Sequence, residues 1–499
     1  MYREKKMKDT LLVPDSTKKN FIFQTFYQAV ILLIPLCIAP YLTRTLGGDA
    51  LGRYTYTYSI AYYFILFGML GITRHGQREI ASNRNNLISL RTSFWELFWL
   101  HIWVSSFMLV MYVVYVLILC EADRKLAYIQ AINVAAGIFD ITWLFYGLEK
   151  FKIVSIRNAI IKILNMVAIF SFVKSEKDIY VYTGIMVISS LFGQLVMLPK
   201  VLKEIPPIHI KISKMCKHLK PLLVLFVGTV AVTLYTMFDK TLLGIMRAKE
   251  EVAFYDYSDK IVNIPKTFLS IVSTILYPKA CMYAADKNIK MQNENAKLSM
   301  RIVAIGCGAF CFGLFAVARE FSYLYYGKNF IECGGIIMAM VPLICIIHIG
   351  EIYRTQYMYA DKRDNIMVGI VCVNSICNLI VSIILIPRIG VYGSVAGSWI
   401  AETVGLVITI IYVNKKITRT RLLIQFPPFI LCGLIMYGVT VFIGNMINDI
   451  TKRFLIKIIV GVCTYSICIL VYSLLNLEFK KQILNVMHSL TKKEVRKEK

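Results

Sequence analysis

A chain of 499 residues that is 57% hydrophobic and 17% charged, with a mean hydropathy of +0.62, has too little polar surface to cover itself in water. That excludes an ordinary soluble globule, and it reassigns the formal charge of +26 from nucleic acid to connections that face anionic lipid. The 13 cysteines fall mostly inside apolar runs (Cys37, Cys307, Cys345, Cys372, Cys377, Cys463, Cys468) without paired spacing, so they read as small hydrophobes rather than disulfides or metal ligands.

Met1 to Asn20 is a polar, basic tail. The apolar run after it is long, is interrupted by Pro35 and Pro40 and lacks a small-residue cleavage site, so it reads as a first spanning helix rather than a signal peptide. At about twenty residues per crossing, the hydropathy predicts an all-α polytopic membrane protein of fourteen helices. They lie near 21–43, 54–73, 94–119, 126–146, 153–173, 179–199, 219–243, 254–278, 299–318, 331–350, 366–386, 391–413, 426–446 and 454–477. Lys162 interrupts the fifth, and Lys260, Pro265 and Lys266 interrupt the eighth.

The charges divide the chain independently of hydropathy. Alternate connections are Lys/Arg-rich: the first tail, Arg74 to Arg91, Lys150 to Arg157, Lys200 to Lys220, Lys279 to Arg301, Arg354 to Arg363, Lys415 to Arg421 and the last tail hold 38 of the 56 basic residues. By the positive-inside rule these face the cytoplasm, and so do both termini. The longest connection carries Pro206-Pro207 and a basic run, which predicts a linker at 206–218. It separates an N-terminal lobe at 21–205 (helices one to six) from a C-terminal lobe at 219–413 (helices seven to twelve). Two further helices occupy 414–477, and the tails are 1–20 and 478–499. The lobes echo each other: Leu46-Gly47 precedes Gly52-Arg53-Tyr54-Thr55-Tyr56, as Leu243-Gly244 precedes Ala253-Phe254-Tyr255-Asp256-Tyr257, which suggests parallel repeats.

A charge at membrane depth costs several kcal/mol unless it faces water, a partner or the bundle interior, which singles out a short set of residues. Asp239-Lys240 lies toward the end of helix seven, and two adjacent residues on one helix point to different neighbours. Lys260 and Lys266 flank Pro265, whose kink would turn them toward one lumen. Arg44, Arg53 and Lys162 are the sparser counterparts in the first half, with Asp140 and Glu402 as neutralising partners. Cations exceed anions in this set, so the lumen should favour an anion. The tyrosines around Tyr54, Tyr56, Tyr255 and Tyr257 offer rings and hydroxyls to a sugar or lipid, though interfacial tyrosines also anchor helices. Walker-type loops, Gly-x-Ser-x-Gly, His-Glu-x-x-His and Cys-x-x-Cys motifs are absent, as is any soluble domain, so the reading is a transporter without a metal or catalytic residues.

Pro35 to Gly47 (PLCIAPYLTRTLG), Gly52-Arg53-Tyr54 and the run from Tyr63 (YFILFGMLGITRHGQREIA) resemble the opening of bacterial oligosaccharide flippases of the O-antigen and capsule type, within the multidrug/oligosaccharidyl-lipid/polysaccharide exporter superfamily. Asp239-Lys240 with Leu243-Gly244, Gln356-Tyr357, Arg363 and Pro387 to Glu402 (PRIGVYGSVAGSWIAE) resemble its later stretches. The resemblance implies two six-helix lobes around a V-shaped cavity plus two peripheral helices, in the bacterial cytoplasmic membrane. It implies alternating-access transfer of undecaprenyl-diphosphate-linked oligosaccharide from the inner to the outer leaflet, for cell-surface polysaccharide biosynthesis. Arg44, Lys240, Lys260, Lys266 and Lys162 would then hold diphosphate or anionic sugar, and Asp239 would organise Lys240 or couple transport to Na+ or H+. Membrane lipid and a polysaccharide polymerase complex would be partners, and nucleic acid would not. The competing readings are a cation-coupled multidrug or metabolite exporter of the same fold, a membrane polysaccharide polymerase or ligase, and a scaffold.

Overall fold

The computed structural model describes residues 17–210 and 212–476, so the expected tails fall largely outside the described residues. In chain order the helices are α1 Thr17–Thr45, α2 Gly47–Met69, α3 Ile72–Asn83, α4 Leu87–Ile118, α5 Arg124–Ile138, α6 Thr142–Gly147, α7 Phe151–Phe172, α8 Ile179–Leu195 and α9 Leu198–Glu204. They continue as α10 Ile212–Cys216, α11 Leu219–Met246, α12 Lys249–Ala285, α13 Ile289–Tyr326, α14 Glu332–Tyr353, α15 Asp364–Ile389, α16 Val391–Lys416, α17 Pro427–Asn445 and α18 Ile450–Leu475. Among the described residues there is no β-strand, as expected where hydrocarbon forces every backbone group to be satisfied within its own segment.

Twelve stretches among the described residues are long and apolar enough to cross a membrane. The spans expected at 21–43 and 219–243 lie within α1 and α11, of 29 and 28 residues. Neither Lys162 nor the Lys260, Pro265, Lys266 group interrupts its helix: α7 runs through the first and α12 through the second.

Two expected spans are broken instead. The run 54–73 ends at Met69, where Leu70 (φ 41°) and Gly71 (φ 76°) are both left-handed. A side chain on Gly71 would also press on the backbone at Leu222 and Phe226, so this break is where α11 comes against α2 and α3. The run 126–146 breaks after Ile138. Asp140 accepts from the Thr142 backbone N–H at 2.9 Å and from its hydroxyl at 2.6 Å at the start of α6, while His101 Nε2 bonds the Gly137 carbonyl at 2.8 Å.

Two compact units divide the chain. Among the described residues, the first holds those up to 257 with 326–330 and 371–397, and the second holds 258–325, 331–370 and those from 398, so the division falls inside α12. In the first unit, α4 is inverted relative to a soluble helix. Trp99, Trp103, Phe107, Val110, Val114 and Leu117 form an exposed apolar stripe, while Glu96, His101 and Ser105 are buried. Phe94, Trp95, Trp143 and Phe145 build an aromatic core with Ile72, Ile80 and Val201. Beside it, Glu96 receives Lys217 Nζ at 2.7 Å and His218 Nε2 at 3.1 Å, and His218 Nδ1 meets His75 Nε2 at 3.0 Å, so the end of the basic 206–218 connection is pinned to α3 and α4. The Pro206 carbonyl at its other end accepts from Trp95 Nε1 at 3.1 Å. In the second unit, α13 packs on α17 and α18 through Tyr465, whose hydroxyl donates to the Ile305 carbonyl at 2.7 Å, and through a buried ion pair, Lys457 to Glu320, at 2.6 Å.

Candidate substrate-binding site

The turn at Arg247-Ala248 makes α11 and α12 a helical hairpin, so positions equidistant from it stand at the same height. Asp239 and Lys240 therefore face Tyr255 and Asp256. Lys240 Nζ lies 2.5 Å from Asp256 Oδ1, with 13% and 10% of the two side chains exposed. Tyr255 donates its hydroxyl to Asp239 Oδ2 at 2.9 Å, and Ser382 of α15 donates to Oδ1 at 3.2 Å. The neighbouring Thr241 Oγ1 bonds Ser59 at 2.9 Å and Tyr63 at 3.0 Å, both on α2. Three helices, α2, α12 and α15, thus converge on three consecutive residues of α11.

Tyrosines adjoin this network. On α2, Tyr54 and Tyr58 stack with centroids 6.0 Å apart, and Tyr182 of α8 meets Tyr54 edge-on at 4.8 Å. Both α2 rings lie within electrostatic reach of Asp256, and Tyr58 also of Lys240. Further along, Arg53 pairs with Asp123, and with Asp49 at 4.0 Å, while Lys249 Nζ sits 3.3 Å from the Tyr56 ring centroid. Gly52 permits this approach, because any side chain there would collide with the Lys249 carbonyl. Tyr257 is packed against Tyr326 and Phe330 at 5.4 and 5.6 Å, and its carbonyl accepts from Tyr326 at 2.9 Å, which is an internal packing position.

The remaining sequence-derived residues stand apart from this cluster or in the second unit. Arg44 is exposed at the end of α1 beside Gly327, Lys162 is half-buried midway along α7, and Asp140 bonds Thr142 at the start of α6. In the second unit Lys260 is exposed, Lys266 lies 3.8 Å from Asp259, and Glu402 is buried in α16. Sequence reasoning missed Asp256, Ser382 and Tyr182. The hairpin symmetry about 247–248 was the available signal for Asp256, since it is the carboxylate within one residue of the position level with Lys240. Chemically, the cluster offers an ammonium held by an exchangeable carboxylate, a second carboxylate held by two hydroxyls, and tyrosine faces that suit sugar rings.

An all-helical, multi-pass fold with a charged, tyrosine-flanked cluster among its helices defines a helical-bundle membrane transporter. Residues 17–283 match the polysaccharide biosynthesis protein family, and the chain belongs to that family. It is 22% identical over 347 residues, 69% of this chain and 83% of the other, to the "Putative O-antigen transporter" of Escherichia coli (strain K12). It is also 22% identical over 389 residues, 76% of this chain and 95% of the other, to the protein of the same name from Shigella dysenteriae. Its fold is similar to that of a lipid II flippase MurJ in an inward closed conformation (TM-score 0.74, 16% identity, 91% of this chain and 99% of that one). An inward-facing multidrug resistance MATE family transporter of the MOP superfamily is also similar (TM-score 0.57, 10% identity, 78% and 94% covered). Each of these is named a transporter or a flippase and none an enzyme, in agreement with the resemblance carried by the motifs.

Proposed function

We propose that this protein moves undecaprenyl-diphosphate-linked oligosaccharide repeat units from the inner to the outer leaflet of the bacterial cytoplasmic membrane, for assembly of a cell-surface polysaccharide. In this reading fourteen helices form two six-helix lobes, 21–205 and 219–413, joined by the cytoplasmic linker 206–218, with two peripheral helices and both termini cytoplasmic. The lobes rock to expose the head group alternately to each side, and the polyprenyl chain stays in lipid. A polysaccharide polymerase complex consumes the unit on the outer face.

The observation that carries the reading is the buried Lys240 to Asp256 pair beside the Asp239 network. A bare diphosphate in hydrocarbon would be prohibitive. An ammonium that exchanges a carboxylate for a phosphate trades one charge-assisted bond for another of similar strength, so it can bind a head group and release it. Arg44, Lys162, Lys260 and Lys266 are the further candidates to hold diphosphate or anionic sugar, Tyr54, Tyr56 and Arg53 receive sugar, and Asp239 is the candidate for coupling to Na+ or H+. Two buried carboxylates, Asp239 and Asp256, also favour a second reading, a cation-coupled exporter of organic cations.

The test is reconstitution in liposomes with a fluorescent undecaprenyl-diphosphate oligosaccharide and measurement of leaflet transfer. Wild-type protein should exceed empty vesicles, and Lys240→Met should transfer about tenfold more slowly or worse, the scale of one lost charge-assisted hydrogen bond. Transfer at the empty-vesicle rate under imposed ion gradients and membrane potential overturns the reading. Gradient-driven movement of organic cations in the same vesicles would establish the second one.

A further inference from the structure

We propose that a groove between α7 and α8, on the first unit, binds an anionic membrane phospholipid. The groove has a volume of about 440 Å³ and two chemically distinct zones. Lys150, Lys152, Arg157 and Lys200 line one end, and no Asp or Glu is among the lining residues. Ile160, Leu164, Phe192 and Val196 line the rest, each between 50% and 59% exposed, which is apolar surface that only hydrocarbon would cover without cost.

The basic end is a built site rather than a scatter of surface lysines. Arg157 donates to the Gly193 carbonyl at 3.0 Å and to Gln194 Oε1 at 3.1 Å, which fastens α7 to the last turn of α8 and holds the two walls apart at a fixed width. The same end is the N-terminus of the 22-residue α7, where the helix dipole favours an anion. Charge complementarity therefore selects a phosphate head group.

Length selects the tails. From Lys152 to Leu164, α7 rises about 18 Å, close to half of a hydrocarbon core of about 30 Å. The groove is thus one leaflet deep, from head-group level to near the midplane. A diacyl phospholipid fills that depth, whereas a polyprenyl carrier is several times longer than the groove.

Binding is measured by native mass spectrometry on the purified full-length protein, titrated separately with phosphatidylglycerol, phosphatidylethanolamine and a polyprenyl phosphate. Phosphatidylglycerol should be retained in preference to both others. The double variant Lys152→Gln, Lys200→Gln removes two exposed charges and should weaken its retention about 30-fold, on the scale set by basic residues at an anionic lipid surface. Lys452→Gln, on an exposed lysine of α18, should leave retention unchanged. As a second probe, Val196→Trp fills the apolar wall and should lower diacyl lipid retention with every lysine in place. Equal retention of the two phospholipids, an unaltered double variant, or preference for the polyprenyl phosphate would each overturn the proposal. None of these readouts depends on leaflet transfer, so the site can fail while the flippase reading stands, and the reverse.

Discussion

Lys240 and Asp256 form an ion pair taken out of water, and such a pair is stable only while both members are present. Lys240→Met leaves the Asp256 carboxylate without this partner in a buried setting and should cost about 3–5 kcal/mol. Adding Asp256→Asn removes the orphaned charge and should recover most of that loss, visible as a rise in the detergent unfolding midpoint of the double variant over the single one. Transfer should stay low in both, which separates the structural role of the pair from its role toward substrate; a double variant with wild-type transfer would remove Lys240 from the site. The charge-at-depth argument marked Asp239 and Lys240 from the sequence, because a solitary charge in an apolar run is conspicuous. It did not reach their partners. Asp256 lies in a segment already rich in polar groups, and Ser382 carries no charge, so only the hairpin register and the fold identify them.

Among the helices, the informative places are the interruptions. Leu70-Gly71 ends α2 in two left-handed residues, and Gly71 also admits the backbone of α11. Gly71→Ala combines an unfavourable positive φ with contact at 3.0 Å from the Leu222 carbonyl. It should destabilise the protein by about 1–3 kcal/mol, read as a lowered midpoint in detergent. Gly184→Ala, where an added Cβ meets nothing within 4 Å, should leave the midpoint unchanged or slightly raised. A glycine at 71 is legible in the sequence as a place where a helix can bend. The break at 139–141 is not, because Phe139-Asp140-Ile141 contains neither Gly nor Pro and continues an apolar run. At the break the Asp140 carboxylate accepts from the Thr142 N–H and hydroxyl, so a residue read as a charge partner also engages the backbone. Conversely, Pro265 and Lys162 looked like interruptions and are not, since α12 and α7 carry them without a break.

At the scale of the whole molecule, alternation of charge does what hydropathy cannot: it assigns sides. The stretch Glu176–Glu204 is a single candidate crossing, with Lys177 at its start and Lys200 and Lys203 at its far end. The proposed orientation puts the 200–220 connection in the cytoplasm, so a crossing between Lys177 and Lys203 puts Lys177 outside. Both lysines are exposed, and the protein's 13 cysteines can be replaced to give a silent background. In that background Lys177→Cys should react with a membrane-impermeant maleimide in intact cells, and Lys203→Cys should react only after permeabilisation. The opposite pattern would invert the molecule and place the basic groove between α7 and α8 in the outer leaflet. Equal labelling in intact cells would mean that the stretch does not cross, and the even span count that brings both termini to one side would fall with it.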